Sequence, residues 1–205
     1  MKIIAIDGPS GVGKSTLAKK LSEHFNIPYL DTGKMYRAFS YLCTKKNIDL
    51  NKEKEVEKII PEYNEIFPTV PFEILNSEEI ARAASIVSQY KSVRDKMASL
   101  QRNFGIKNGG VLEGRDTTTV IFPDTPFKFY LYAKKEIRVW RRYSQVKGNW
   151  GRIAIDIEER DKRDRERKFA PLKFSKEGIP VDSSYLNENE VFRLFIKILK
   201  KMGFK

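Results

Sequence analysis

The chain reads as an α/β protein built on a mostly parallel five-stranded sheet with helices on both faces. Three observations predict this. Short apolar runs recur at Lys2-Ile3-Ile4-Ala5-Ile6, Ile27-Pro28-Tyr29-Leu30, Val111-Leu112, Phe127 to Tyr132 and Gly178 to Asp182, each of the length and composition of a buried parallel strand. Stretches of helical period separate them. Gly8-Pro9-Ser10-Gly11-Val12-Gly13-Lys14-Ser15, followed by Thr16, fits G-x-x-x-x-G-K-[ST] and sits between the first strand and the first helix.

That loop carries the first chemistry. Its glycines let successive N–H groups turn inward around a phosphate, and the helix N-terminus adds a positive dipole end. Lys14 is expected to reach the β- and γ-phosphates, and the Ser15 hydroxyl to ligate Mg²⁺. The following helix places Leu17, Leu21 and Phe25 on one face.

Composition sets the bounds. The 205 residues can bury one sizeable core. With 40% hydrophobic and 32% charged residues the chain is globular, and no apolar run is long enough to span a bilayer. The first strand begins at once and leaves no room for a targeting peptide, so a cytoplasmic location is expected. Cys43 stands alone, which excludes an internal disulfide and a thiolate metal site; His24, the single histidine, falls late in the first helix. The net charge of +12 admits either nucleic-acid binding or polyanionic small substrates. Lysines are scattered, whereas arginines cluster between Arg138 and Arg167, and arginine suits bidentate phosphate contact. With no nucleic-acid-binding signature, small phosphorylated ligands are favoured.

Along the chain, Asp31 or Thr32 can cap a second helix carrying Met35, Phe39 and Leu42 on one face, with Tyr36 and Arg37 near the carboxyl edge of the sheet. A short helix is expected near 52–60, then an irregular or weakly stranded lobe punctuated by Pro61, Pro68 and Pro71. One long helix is expected from the Ser77 cap to about Asn103, with Ile86, Tyr90, Val93, Met97, Leu100 and Phe104 as its core stripe and Ser85 and Arg94 off it. Glu113, Arg115 and Asp116 close the strand after the Asn108-Gly109-Gly110 turn, at the same edge as the loop. Two arginine-rich helices follow, one carrying Arg138, Arg141 and Arg142, the other running to Pro171; the break at Gly148-Asn149-Trp150-Gly151 between them reads as a lid. In the second, Arg160, Asp164 and Arg167 share a face and Arg163 lies one turn on, which reads as a solvated salt-bridged helix or as cations for phosphoryl transfer. Val191, Leu194, Phe195, Ile198, Leu199 and Met202 stripe the last helix.

Taken together, Ile6-Asp7-Gly8-Pro9-Ser10-Gly11, Leu30-Asp31-Thr32-Gly33-Lys34-Met35-Tyr36-Arg37, Glu113-Gly114-Arg115-Asp116, Phe122-Pro123-Asp124, Glu159-Arg160-Asp161, Arg167 to Leu172 and Val181-Asp182-Ser183-Ser184 resemble bacterial cytidylate kinases from end to end. The resemblance implies an adenylate-kinase-like fold of the P-loop NTPase class, with three α/β/α layers in a single domain. Its core would comprise 1–36, 104–135 and 170–205, its monophosphate-binding insert about 37–103 and its lid about 136–169. It implies transfer of the ATP γ-phosphoryl group to CMP or dCMP with Mg²⁺, by a monomer that engages neither nucleic acid nor membrane. By matching positions, Ser85, Arg94 and Asp116 would approach the cytosine, and Arg160 and Asp164 the sugar. Arg37, Arg115 and Arg167 would serve the acceptor phosphate or base edge, with Thr32, Tyr36 and Gly114 beside them. Lys14, Arg115 and Arg163 would be catalytic, and the loop from Gly8 to Thr16 would hold ATP. The chain departs from the family in a shorter insert and in Thr118, where glycine is usual. Two other readings stand beside this one: a sugar or shikimate kinase, which must deprotonate a hydroxyl, and a nucleotide-switched RNA-binding protein.

Overall fold

In the computed structural model, which describes residues 2–64 and 70–204, the chain begins with β1 (Ile3–Asp7), the phosphate-loop segment and α1 (Lys14–Phe25). There follow β2 (Tyr29–Asp31), α2 (Thr32–Lys45), α3 (Glu53–Glu57), a 3₁₀ turn (Ile60–Glu62), α4 (Phe72–Asn76), α5 (Glu78–Val87) and α6 (Lys91–Asn108). The second half holds β3 (Gly110–Gly114), a π-helical turn (Thr117–Ile121), β4 (Phe127–Tyr132), α7 (Lys135–Val146), α8 (Trp150–Glu166), β5 (Ile179–Asp182) and α9 (Glu188–Lys201).

The five strands form one sheet in the order β2-β3-β1-β4-β5, and every neighbouring pair is parallel. Both faces are covered, as a parallel sheet requires. Ile4, Ile6, Val111 and Phe129 face α1 and α9, where Leu17, Leu21, Phe195 and Leu199 complete one core. Ile3, Leu30 and Leu112 face the other way, onto Met35, Phe39, Val93 and Met97 of α2 and α6. A small third cluster of Val139, Ile153 and Ile157 fastens α7 to α8. Because β1 is central and the chain leaves it first to one side and then to the other, the carboxyl ends of β1 and β3 open onto the crevice where such sheets bind ligands. No helix among the described residues is long and apolar enough to cross a membrane.

The structure corrects four boundaries. The long helix expected from Ser77 is two helices, capped at Ser77 by its own hydroxyl and broken at Ser88–Tyr90. The break frees the Ser88 carbonyl to accept from Arg94 Nη1 at 3.2 Å, and it moves the buried stripe of α5 from Ile86 to Val87. The interruption between the arginine-rich helices is shorter than expected: Lys147 turns left-handed (φ 50°), Asn149 caps α8, and Trp150 and Gly151 are already helical. The second of these helices ends at Glu166, not at Pro171, because Arg167 turns extended and its Nε donates back to the Ala170 carbonyl at 2.7 Å. In the lobe read as irregular or weakly stranded, α4 forms a short helix after Pro71; Pro68 lies outside the described residues. Asp31, rather than Thr32, caps α2, accepting from the Lys34 N–H at 3.0 Å.

Phe129 is fully buried at the sheet centre and packs on Phe195 with ring centroids 4.6 Å apart. Phe129→Ala is expected to lower unfolding free energy by about 3–5 kcal/mol, read as a shift in the urea midpoint at unchanged slope.

Candidate active site

A cleft of about 900 Å³ runs along the carboxyl edge of the sheet. At one end lies the glycine-rich loop. Gly13 takes φ 95°, a left-handed turn that aims the following N–H groups at the cleft. Gly8 has no room for a side chain, since a Cβ there would lie 2.0 Å from the Leu131 carbonyl of β4. Ser10 through Thr16 line the cleft; Gly8 and Pro9, expected to contact ATP, do not. Their carbonyls instead accept from Lys14 Nζ at 2.8 Å each, which folds the lysine back over its own loop. Burial, assisted by Arg115, pushes the Lys14 ammonium down to about 7. An arriving polyphosphate would supply the charge this ammonium lacks.

Ser15 Oγ donates to Glu113 Oε1 at 2.6 Å, and the Tyr29 hydroxyl donates to the same oxygen at 3.3 Å. Glu113 is 4% exposed; burial, with Asp31 nearby, pushes its carboxyl up to about 6. A hydroxyl and a carboxylate oxygen side by side are the hard donors Mg²⁺ takes while keeping most of its waters.

The far end of the cleft is an arginine–carboxylate lattice. Arg94 Nη2 meets Asp116 Oδ2 at 2.5 Å, and Arg167 Nη2 lies 3.4 Å from Asp116 Oδ1. The Arg94 guanidinium sits 5.6 Å from the Tyr36 ring centroid. Arg115 Nε meets Asp164 Oδ2 at 2.7 Å. Burial opposes ionising Asp164, but Arg115, Arg167 and Arg160 more than offset it and hold the carboxyl below its usual range. Thr32 Oγ1 donates to the Glu113 carbonyl at 2.8 Å, so the second helix starts against the end of β3 beside Gly114. Ser85, Arg94, Asp116, Arg160, Asp164 and Arg167 all line this one cleft, although they are spread over more than eighty positions of sequence.

Besides Arg141, which is held by backbone carbonyls, three cleft arginines have no carboxylate at ion-pair distance among the described residues. Arg37 donates to the Leu75 carbonyl and to Asn76 Oδ1, both at 3.2 Å. Arg142 and Arg160 line the cleft with no carboxylate at ion-pair distance among the described residues, and Arg160 Nε is enclosed without a hydrogen-bond partner. Burial, together with Arg37, Arg115 and Arg142, lowers Arg160 to about 10. Like charges held this close await an anion.

Arg163, expected to be catalytic, does not line the cleft: its Nε donates to Ser85 Oγ at 2.9 Å and its Nη1 lies 3.6 Å from Glu159. Arg138 and Arg141, read as lid cations, both donate to the phosphate loop, and Arg141 also lines the cleft. Arg138 Nη1 donates to the Ser10 carbonyl and to Asp161 Oδ2, while Asp161 Oδ1 accepts from the Ser10 N–H at 3.1 Å. Arg141 donates to the carbonyls of Val12, Ser183 and Leu186. Sequence offered no sign of Asp161 as the partner of the loop, because it sits in a run of alternating charges where any acid looks like its neighbours. Tyr29 and Ser88, which also line the cleft, carried no signal either.

Comparison with known proteins places the chain in a family. The family model for cytidylate kinase matches residues 4–201. The chain belongs to the cytidylate kinase family. It is 40% identical over 202 residues to the cytidylate kinase of Clostridioides difficile, covering 92% of this chain and 94% of that one. It is 38% identical over 214 residues to that of Thermodesulfovibrio yellowstonii, covering 96% of each. A solved structure of an uncharacterized protein from Eubacterium ventriosum superposes with a TM-score of 0.60 at 16% identity, over 98% of this chain and 99% of that one, which speaks to the fold alone. Membership in the cytidylate kinase family implies phosphorylation of CMP by ATP.

The Glu113 carboxyl should leave a mark on the pH profile. Raised to about 6, it is protonated below that pH and cannot hold a cation there. The kcat/KM for the donor is expected to rise through pH 6 as Glu113 ionises and to fall above about pH 7 as Lys14 loses its proton. Glu113→Gln should lower the maximum and leave only the acid limb set by the phosphates themselves, as read by initial rates from pH 5 to 8 at saturating acceptor.

Proposed function

We propose that this chain transfers the γ-phosphoryl group of ATP to CMP and to dCMP, giving ADP with CDP or dCDP. The observation that carries the reading is the trio Arg37, Arg142 and Arg160, cations without carboxylate partners that face one cleft between the loop and the Asp116 wall. Two nucleotides meeting phosphate to phosphate would place the most negative charge there.

The reaction needs no general base. The attacking atom is an acceptor phosphate oxygen, and with a second pKa of about 6 that phosphate is mostly ionised at neutral pH. A hydroxyl acceptor would instead call for a positioned carboxylate. Asp164 and Asp116 are already engaged by Arg115, Arg94 and Arg167, which argues against a free carboxylate base. The work left to the protein is alignment and charge neutralisation. Loop N–H groups from Ser10 to Thr16 hold the donor phosphates, Lys14 leaves the Gly8 and Pro9 carbonyls for them, and Arg37, Arg142 and Arg160 close on the transferring group. Ser15 and Glu113 would hold Mg²⁺, which when bound neutralises the charge on the donor phosphates. Asp164 holds the sugar, and Ser85, Arg94 and Asp116 hold the base.

Cytosine and uracil differ at position 4, an amino donor in one and a carbonyl acceptor in the other. Asp116 can accept from the first and repels the second, whereas Ser85 discriminates weakly because its hydroxyl can do either. In a panel of CMP, dCMP, UMP, AMP and shikimate with ATP and Mg²⁺, CMP and dCMP are expected to lead in kcat/KM. Asp116→Ala should narrow the CMP:UMP ratio mainly by damaging CMP, by about one to two decades for one charge-assisted hydrogen bond. Preference for shikimate, or a ratio unmoved by Asp116→Ala, contradicts the assignment.

A further inference from the structure

Asp7 is the last residue of β1, stands immediately before the phosphate loop, and is wholly buried. A carboxylate in that position needs donors. It finds three, all across the cleft floor on the π-helical turn. Oδ1 accepts from the Thr117 N–H at 2.9 Å; Oδ2 accepts from the Thr118 N–H at 2.7 Å and from Thr118 Oγ1 at 2.6 Å. Thr117 and Thr118 are themselves 1% and 2% exposed, so water does not compete for these bonds.

The turn that Asp7 grips is the one that carries Asp116. Asp116 precedes it, and the Asp116 carbonyl accepts from the N–H groups of Val120 at 2.8 Å and Ile121 at 3.2 Å. One step from Asp7 along the other chain direction is Gly8, whose carbonyl holds Lys14 Nζ. Beyond the β1–β3 pairing that sets Asp7 in register with Gly114, this buried cluster of hydrogen bonds joins the donor loop to the turn that carries the acceptor carboxylate. Two of its three donors are backbone N–H groups that any residue would supply. The third, the hydroxyl of Thr118, depends on side-chain identity.

We infer that Asp7 and Thr118 are positioning residues, and that the Thr118 hydroxyl helps set acceptor-base selectivity by holding Asp116 in register with the phosphate loop. Neither side chain reaches the reacting atoms; both act through Asp116 and Gly8. The inference rests on the functional reading above.

Thr118→Val keeps the shape and removes the hydroxyl, and Thr118→Ser keeps the hydroxyl. Thermal midpoint, the KM values for ATP and CMP, kcat, and the ratio of kcat/KM for CMP over UMP are measured for wild type and both variants. A hydrogen bond to a buried charged group corresponds to about a ten- to hundredfold effect. Thr118→Val is expected to lower kcat with CMP by about tenfold or more and to shrink the CMP:UMP ratio, with the KM for ATP changed little. Thr118→Ser should restore both quantities to within about threefold of wild type. If Thr118→Val does not fold, Thr118→Ala against Thr118→Ser gives the same comparison. A hydroxyl-free variant that loses only thermal stability, with kcat and the CMP:UMP ratio as in wild type, overturns the inference and leaves the functional reading standing. A wild-type chain that does not phosphorylate CMP overturns both.

Discussion

Desolvated guanidinium groups are the constraint around which this molecule is arranged. A cation withdrawn from water must be matched by an anion or by well-placed acceptors. Arg138 is matched by Asp161, Arg94 by Asp116 and Arg115 by Asp164, each across a long stretch of chain. These pairs bind the walls of the cleft to one another. Asp161 joins α8 to the phosphate loop through Ser10; Asp164 joins α8 to the end of β3; Asp116 joins that same end to α6. Arg37, Arg142 and Arg160 have no such anions among the described residues, and they line the same cleft. Cleft shape and cleft charge thus have one origin: the paired arginines build the site, and the unpaired ones give it an appetite for phosphate.

The sheet places these charges where they can act. Parallel strands end together at one edge, where Asp7, Asp31 and Gly114 close β1, β2 and β3 and Glu113 stands one residue before the end of β3. Asp31 and Glu113 stand in register, as do Asp7 and Gly114. A rigid, doubly covered sheet fixes backbone positions at that edge, and loops and helix starts add the side chains. The hydroxyl of Ser15 finds Glu113 only because β3 lies beside β1.

Much of this was legible in the sequence for a local reason. Strand runs, the glycine-rich loop, the caps at Ser77 and Asp31, and the final amphipathic helix are all written within a few residues of where they act. What was not legible is set by contacts distant in sequence. The break at Ser88 follows from Arg94 needing the Ser88 carbonyl, which periodicity cannot announce. The early end of α8 follows from Arg167 folding back on Ala170. Asp161, Asp164 and Arg163 occur within four residues of one charged run, yet one anchors the loop, one holds Arg115 and one donates to Ser85. Spacing put Arg160, Asp164 and Arg167 on one face correctly, but it could not separate Arg163, one turn away, from the cleft.

On the proposed function, donor and acceptor phosphates meet in one cleft lined by Arg37, Arg142 and Arg160. The most direct measurement is calorimetric titration with adenosine and cytidine joined by a polyphosphate chain. One equivalent should bind more tightly than ATP or CMP alone and be displaced by each of them, and Arg160→Met should weaken it far more than it weakens cytidine lacking phosphate. A conjugate displaced by only one of the two nucleotides, or one whose affinity is indifferent to Arg160→Met, would contradict the account.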